Sequence, residues 1–125
     1  MADYLLDSDV IIWFLRGRTE AVDLVKNLSG RGVLGCSALS IIEVLGGVKP
    51  KDEPSTEAFL DTLRSYPVDR STARQAAGLI RQHRIKGRTL QFVDATIAAT
   101  CLAHDLTLVT YNQRHFPMSG LRMLP

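Results

Sequence analysis

The sequence predicts an α/β fold, a three-layer α/β/α sandwich in which a central parallel sheet lies between two layers of helices. Short apolar runs alternate along the chain with longer segments of helical periodicity, which is the pattern that βαβ units produce. At 125 residues the chain has the length of one domain, and we expect residues 1–125 to form a single domain. Its composition, 46% hydrophobic and 22% charged, excludes a disordered or collagen-like chain.

Five short segments are predicted to be strands because they are apolar or rich in β-branched residues and are bounded by turn-forming residues. They are residues 4–6, 33–36, 66–69, 106–110 and 121–124. The last of these is expected at an edge of the sheet. In open α/β sheets ligands bind at the carboxyl ends of the strands, so polar residues that directly follow a strand are the first candidates for a site.

Six segments are predicted to be helices. The first has Ser8 or Asp9 as its expected N-cap, and glycines end the first, third and fifth. The fifth carries alanines at helical spacing with arginines on its other faces. The predicted helices are residues 9–15, 19–27, a helix through 40–43 that fails at Gly46, and residues 55–64, 71–85 and 92–103. Residues 49–54, with two prolines, are expected to be an exposed connection.

The overall charge and the cysteine count limit the class of protein. No apolar run approaches the roughly 20 residues that cross a bilayer, and no secretory signal is recognisable, so we expect a cytoplasmic protein without a membrane partner. Cys36 and Cys101 lie in apolar segments and are expected to fill the core as free thiols. A net charge of +2 neither requires nor excludes nucleic acid as a partner.

Asp94 is the most informative single residue. On a helix it shares a face with Ile97, Ala98 and Cys101, the stripe that is expected to face the core. Because a buried unpaired carboxylate costs several kcal/mol, Asp94 must cap the helix, be paired, or hold a metal ion.

Three further polar residues are expected near the carboxyl edge of the sheet or on a closely packed helix face. Asp7 ends the first strand and Asn112 follows the fourth, although each also suits a turn or a helix cap. Glu43 fits a capping box with Ser40, or it leaves its helix beside apolar residues and two glycines. One cluster of oxygen ligands accounts for all of these residues together with Asp94. Such ligands select Mg²⁺ or Mn²⁺ rather than zinc.

Basic residues are concentrated in one part of the chain. The 24 residues from Arg70 to Val93 contain six basic side chains and no acidic one. We expect Arg81, Arg84 and Arg88 in this stretch to contact a polyanion, with a solvated helix face or an acidic partner segment as alternatives. Among the histidines, His115 is the one expected beside the cleft.

These residues, taken in order, resemble the PIN-domain ribonucleases, and within them the VapC-type toxins of bacterial toxin-antitoxin pairs. The resemblance covers nearly the whole chain, and it rests on five short segments that are specific only in combination. The segments are residues 5–10 (LLDSDV), 40–43 (SIIE), 94–100 (DATIAAT), 104–110 (HDLTLVT) and 112–116 (NQRHF). The order of Asp7, Glu43, Asp94 and Asn112, separated by 36, 51 and 18 residues, makes the combination specific.

The resemblance implies an endoribonuclease that depends on Mg²⁺ or Mn²⁺, forms a homodimer, alone or within a larger toxin-antitoxin complex, and is blocked by a cognate antitoxin. It implies that Asp7, Glu43 and Asp94 form an acidic triad that holds the metal, with Asp7 and Asp94 as direct ligands. Asn112 matches a fourth site position that is often Asp in the family. His115 also stands at a position where the family often has Asp. Because asparagine lacks the charge, a one-metal mechanism is favoured.

Two alternatives stay open. The D-x-D-x-V run after the first strand also resembles the haloacid dehalogenase-type phosphatases, with Asp7 as nucleophile and Asp9 as acid, but the downstream lysine and paired aspartates of that family are missing. Alternatively, a site weakened by Asn112 would make the chain a PIN-like module that binds RNA or a partner without cutting.

Overall fold

The computed structural model describes residues 3–125, in which five strands alternate with helices. The strands are β1 (Tyr4–Leu6), β2 (Leu34–Ser37), β3 (Arg64–Tyr66), β4 (Thr107–Val109) and β5 (Met123–Leu124). The α-helices in the same residues are α1 (Ser8–Leu15), α2 (Thr19–Ser29), α3 (Ala38–Gly46), α4 (Glu53–Leu60), α5 (Arg70–Ile85) and α6 (Phe92–His104). Single 3₁₀ turns lie at Pro50–Asp52 and Gln113–His115.

The strands form one parallel sheet in the order β3-β2-β1-β4-β5. Leu5 in the centre is in register with Gly35 of β2 on one side and with Leu108 of β4 on the other. The chain builds the sheet from β1 towards β3 and then returns to the opposite side of β1. The carboxyl ends of β1 and β4 therefore lie at the point where the strand order reverses, which is where open α/β sheets bind ligands.

The two faces of the sheet are covered by different helices. Leu5 and Leu108 pack with α6 and with Ala76 of α5 in one core, in which α6 is buried over most of its length. Leu6 and Val109, which point to the other face, pack with α1 to α4 in a second core. The predicted α/β/α sandwich is thus confirmed. The alternation of side chains along each strand sorts neighbouring residues into the two cores.

Two predicted elements are shifted along the chain. The third strand is Arg64–Tyr66 and not residues 66–69, because Pro67 lacks a donor and the Asp69 side chain accepts the Thr72 N–H at 2.9 Å as N-cap of α5. The preceding helix begins at Glu53 and ends at Leu60 rather than spanning 55–64. Pro54, read from sequence as part of a connection, instead lies in the first turn of α4, where a proline costs no hydrogen bond.

The expectations for the cysteines agree with the structure. Cys36 and Cys101 are free and almost fully buried, and burial raises the pKa of Cys36 to about 11 and that of Cys101 to about 12. Both are therefore neutral thiols that act as apolar filler. Within residues 3–125, no helix has both the length and the apolar character that a membrane span requires.

Gly35 is required by the close packing of β2 against β3. A Cβ atom at this position would lie 2.6 Å from Cε2 of Tyr66 and 2.8 Å from the carbonyl oxygen of Arg64. We expect Gly35→Ala to lower the free energy of unfolding by about 1–3 kcal/mol, since the strands must move apart. Gly78 in α5 has open space around it, so Gly78→Ala should raise the same quantity by about 0.5–1 kcal/mol. Urea unfolding compares the two, and equal stability of Gly35→Ala and the parent would contradict this packing.

Candidate active site

Asp7 lies at the switch point of the sheet, directly after β1. Its Oδ1 accepts the Ser8 N–H at 2.8 Å, and its Oδ2 accepts the Thr110 hydroxyl at 2.8 Å. Asp7 is therefore the N-cap of α1, and the sequence-based choice of Ser8 or Asp9 is wrong. Since Thr110 follows β4, the neighbour of β1, this hydrogen bond joins the two strand ends at the place predicted for a site.

Burial and neighbouring acids destabilise the ionised form of Asp7. The residue is 9% exposed, and burial, together with the negative charges of Asp9 and Asp94, raises its pKa to about 6. The hydrogen bonds from Thr110 and Ser8 offset part of this effect. A carboxylate kept in such surroundings is typical of a functional site, because neither folding nor solubility benefits from it.

Asp9 is a member of the cluster that the sequence analysis did not place in the metal site. It lies on the first turn of α1, and its Oδ2 accepts the Asn112 side-chain Nδ2–H at 3.1 Å and the Tyr111 N–H at 3.0 Å. Burial raises the pKa of Asp9 as well. Asn112 thus contacts a carboxylate through its amide nitrogen. In the sequence, the indication that Asp9 belongs to this cluster is its position two residues after Asp7.

Glu43 reaches the same edge of the sheet from α3. Its Oε1 accepts the Ser8 hydroxyl at 2.6 Å, which links α3 to the start of α1. The capping-box alternative for Glu43 is wrong, because Ser37 is the N-cap of α3 and accepts the Leu39 N–H at 3.1 Å. Glu43 is exposed, so it is a carboxylate that a bound molecule can reach.

Asp94 is in the first turn of α6 and continues the buried stripe of Ile97, Ala98 and Cys101, as predicted. Its side chain is 21% exposed, and its Oδ2 lies 4.0 Å from Nδ1 of His115. Burial and the negative charge of Glu43 raise the pKa of Asp94, while His115 lowers it. The negative charge of Asp94 in turn raises the pKa of Asp7.

The three arginines predicted to contact a polyanion lie in different positions relative to this cluster. Arg88 lines a hollow of about 280 Å³ together with Asp94, Arg114 and His115. Arg81 and Arg84 are exposed on α5 and do not line this hollow. The structure therefore brings only Arg88 close to the acidic residues.

Trp13 and Tyr111 stack beside the acids, with ring centroids 4.7 Å apart and an interplanar angle of 25°. The Tyr111 hydroxyl oxygen is buried and has no hydrogen-bond partner among the described residues. We expect Tyr111→Phe to leave the free energy of unfolding unchanged or to raise it by up to about 1 kcal/mol, because an unsatisfied polar group is removed. Tyr111→Leu should lower it by about 1 kcal/mol through loss of stacking. A markedly lower melting temperature for Tyr111→Phe than for the parent would show that the hydroxyl has a hydrogen-bond partner.

The donors at this edge are suited to a hard divalent cation. Asp7 directly follows β1, and Asp9, Glu43 and Asp94 lie on α1, α3 and α6. Within residues 3–125, no three His, Cys, Asp or Glu side chains are close enough together to hold a metal ion by themselves. Mg²⁺ requires only one or two carboxylates and keeps several waters, so the residues present fit such an ion. The arrangement can position a cation and water against a phosphate.

Comparison with known proteins gives a consistent assignment. A PIN domain family model matches residues 4–118. Ribonuclease VapC10 and Ribonuclease VapC19, both from Mycobacterium tuberculosis, are each 35% identical to this chain over 91% of its length, covering 86% and 92% of their own chains.

Solved structures show the same fold. VapBC2 from Rickettsia felis bound to promoter DNA contains a chain that matches 98% of this one, with a TM-score of 0.85 and 18% identity over 97% of that chain. DNA-bound VapBC from Salmonella typhimurium gives a TM-score of 0.85 and 22% identity over 99% of this chain and 98% of that one. The chain therefore belongs to the PIN domain family and, within that family, to the group of the VapC ribonucleases.

Proposed function

We propose that this protein is an endoribonuclease that hydrolyses RNA phosphodiester bonds with the help of Mg²⁺ or Mn²⁺, and that it is the toxin of a toxin-antitoxin pair. The observation that carries this proposal is the buried Asp7 at the switch point of the sheet, with Asp9 two residues away and Glu43 hydrogen-bonded to Ser8, in a chain whose relatives are ribonucleases. Membership of the PIN family argues against the phosphatase alternative.

In this proposal Asp7 and Asp94 hold the metal directly and Glu43 holds it directly or through water. When bound, the ion supplies positive charge that polarises the scissile phosphate and acidifies a neighbouring water. The raised pKa values of Asp7 and Asp94 support this assignment, because burial, with repulsion from neighbouring acids, disfavours their ionised forms and a bound cation would favour them.

The remaining side chains position these acids and the RNA. The Ser8 hydroxyl holds Glu43, so that its second oxygen can orient or deprotonate the attacking water. Asn112 holds Asp9. Arg88, at the hollow beside Asp94, contacts an RNA phosphate, and Arg81 and Arg84 extend this contact along α5.

The proposed partners of this protein are inferred from the complexes in which proteins of similar fold occur. The structures of similar fold include VapBC complexes, and we propose that a cognate antitoxin covers the acidic cluster of this protein and stops cleavage. We further propose that residues 1–125 act as a single nuclease domain that pairs as a homodimer, free or within the toxin-antitoxin complex. Its place of action would be the cytoplasm, where its RNA substrates are.

The test is cleavage of RNA by purified protein free of antitoxin. We expect cleavage with Mg²⁺ or Mn²⁺, none after chelation, and recovery when the metal is restored. Asp94→Asn, prepared in parallel, should lose at least about 100-fold in rate, which excludes a contaminating nuclease. Intact RNA with folded, metal-loaded parent protein would overturn the proposal, and RNA binding without any cleavage would favour a PIN-like binding module.

A further inference from the structure

We propose that Arg18, Trp13 and Tyr111, here called the Trp13 cluster, form a stacking site for an unpaired base of the RNA beside the scissile bond. This inference rests on the proposed function and names residues that would choose where the RNA is cut. Of these three, Tyr111 also takes part in the hydrogen bonds of the acidic cluster through its backbone.

The Trp13 cluster is physically joined to the acids. The Tyr111 N–H donates to Oδ2 of Asp9 at 3.0 Å, and the Tyr111 ring stacks on Trp13. Trp13 lies four residues after Asp9 on α1, which places both side chains on one face of the helix, one turn apart. A base held at the cluster would therefore belong to a nucleotide next to the one at the acids.

The Arg18 guanidinium completes the surface of the cluster. Its Cζ lies 4.4 Å from the centroid of the Trp13 ring, and the residue is exposed. No carboxylate of residues 3–125 lies within ion-pair distance of Arg18. A planar cation that rests on a ring and has no acidic partner offers both a flat face and free donors. Unpaired RNA bases stack on guanidinium planes and aromatic rings, so a base could stack on the outer face of the Arg18 guanidinium.

Charge around the site favours the same path for an RNA strand. The acids repel phosphates, so a strand needs cations on both sides of them. Arg88 and Arg114 supply these beside Asp94, and on the other side Arg16 lines a hollow of about 440 Å³ with Glu43. Arg18 lies two residues after Arg16 in the chain.

The fluorescence of Trp13 reports on this site directly, because it is the only tryptophan in the chain. The probe is an oligoribonucleotide of about 10 nucleotides, titrated into the parent protein in EDTA so that no cleavage occurs. We expect saturable quenching of Trp13. An abasic strand of the same length carries the same charge, and we expect it to give no quenching.

Variants separate stacking from charge. Arg18→Lys keeps the positive charge but removes the planar guanidinium group. It should therefore weaken oligoribonucleotide binding about tenfold and shift the pattern of cut sites. Arg31→Lys is the matched control, because Arg31 is exposed in the loop before β2, at the amino end of the strands. It should match the parent.

The outcomes for this site and for the nuclease are distinguishable. Base-dependent quenching without any metal-dependent cleavage would support the stacking site and overturn the nuclease. Normal cleavage together with equal quenching by the two strands, or with no quenching, would overturn the stacking site and leave the nuclease intact. An Arg18→Lys protein with the parent's affinity and cut pattern would also overturn it.

Discussion

Asp7→Asn is expected to raise the free energy of unfolding of the metal-free protein at about pH 7.5 by about 1–3 kcal/mol while it eliminates RNA cleavage. The reason is the raised pKa of Asp7, which is about 6 in the folded protein against 3.8 for an unperturbed aspartate. At about 1.4 kcal/mol per pKa unit, ionising this buried carboxyl costs folding roughly 3 kcal/mol. Asparagine retains the N-cap oxygen without the charge.

The free energy of unfolding depends on pH through Asp7, and the raised pKa determines the direction of this dependence. Between about pH 4 and pH 6 the folded protein binds more protons at Asp7 than the unfolded chain, so the stability contributed by this group falls as the pH rises. The fall is complete above pH 6, and Asp7→Asn should remove it.

Urea unfolding in EDTA, at about pH 4.5 and about pH 7.5, measures the effect. The gain from Asp7→Asn should appear at the higher pH and shrink at the lower one, and Mg²⁺ should stabilise the parent more than the variant. An Asp7→Asn protein that is less stable than the parent at both pH values would show that the ionised Asp7 carboxylate favours folding.

Asn112→Asp is expected to make the metal-free protein less stable and its metal binding tighter. The substitution replaces the Nδ2–H that donates to Asp9 at 3.1 Å with a carboxylate oxygen, so that two negative charges face each other. We expect the free energy of unfolding in EDTA to fall by about 1–3 kcal/mol, and Mn²⁺ affinity to rise at least about tenfold.

Thermal unfolding with increasing Mn²⁺ measures both effects in one experiment. Asn112→Ala is the matched control, because it removes the hydrogen bond without adding charge, and it should lose stability without gaining metal affinity. An unchanged metal titration in Asn112→Asp would mean that position 112 contributes nothing to the electrostatics of the cluster.

Local patterns were sufficient to predict the fold class. The apolar run before Asp7 and the β-branched run before Tyr111 each predict a buried strand, and parallel strands bring their carboxyl ends to one edge. Asp94 stands out in sequence for the same kind of reason, since a carboxylate on the apolar stripe of α6 needs an explanation.

The contacts between distant residues could not be predicted from these patterns. The hydrogen bond from Ser8 to Glu43 joins residues 35 positions apart, and a capping box with Ser40 explained Glu43 equally well in the sequence. The sequence alone indicates a helix cap for Asp9, because that local role satisfies its carboxylate. Its partners, Tyr111 and Asn112, are more than 100 positions away.

The central claim is that Asp7, at the end of β1, together with Glu43 and Asp94 holds a divalent ion on which RNA cleavage depends. Anomalous diffraction from crystals of the parent soaked in Mn²⁺ tests it most directly. We expect an anomalous peak for manganese within bonding distance of the carboxylates of Asp7 and Asp94, and no such peak in crystals of Asp94→Asn. Manganese-dependent cleavage by the parent, with the ion bound elsewhere on the protein, would contradict it.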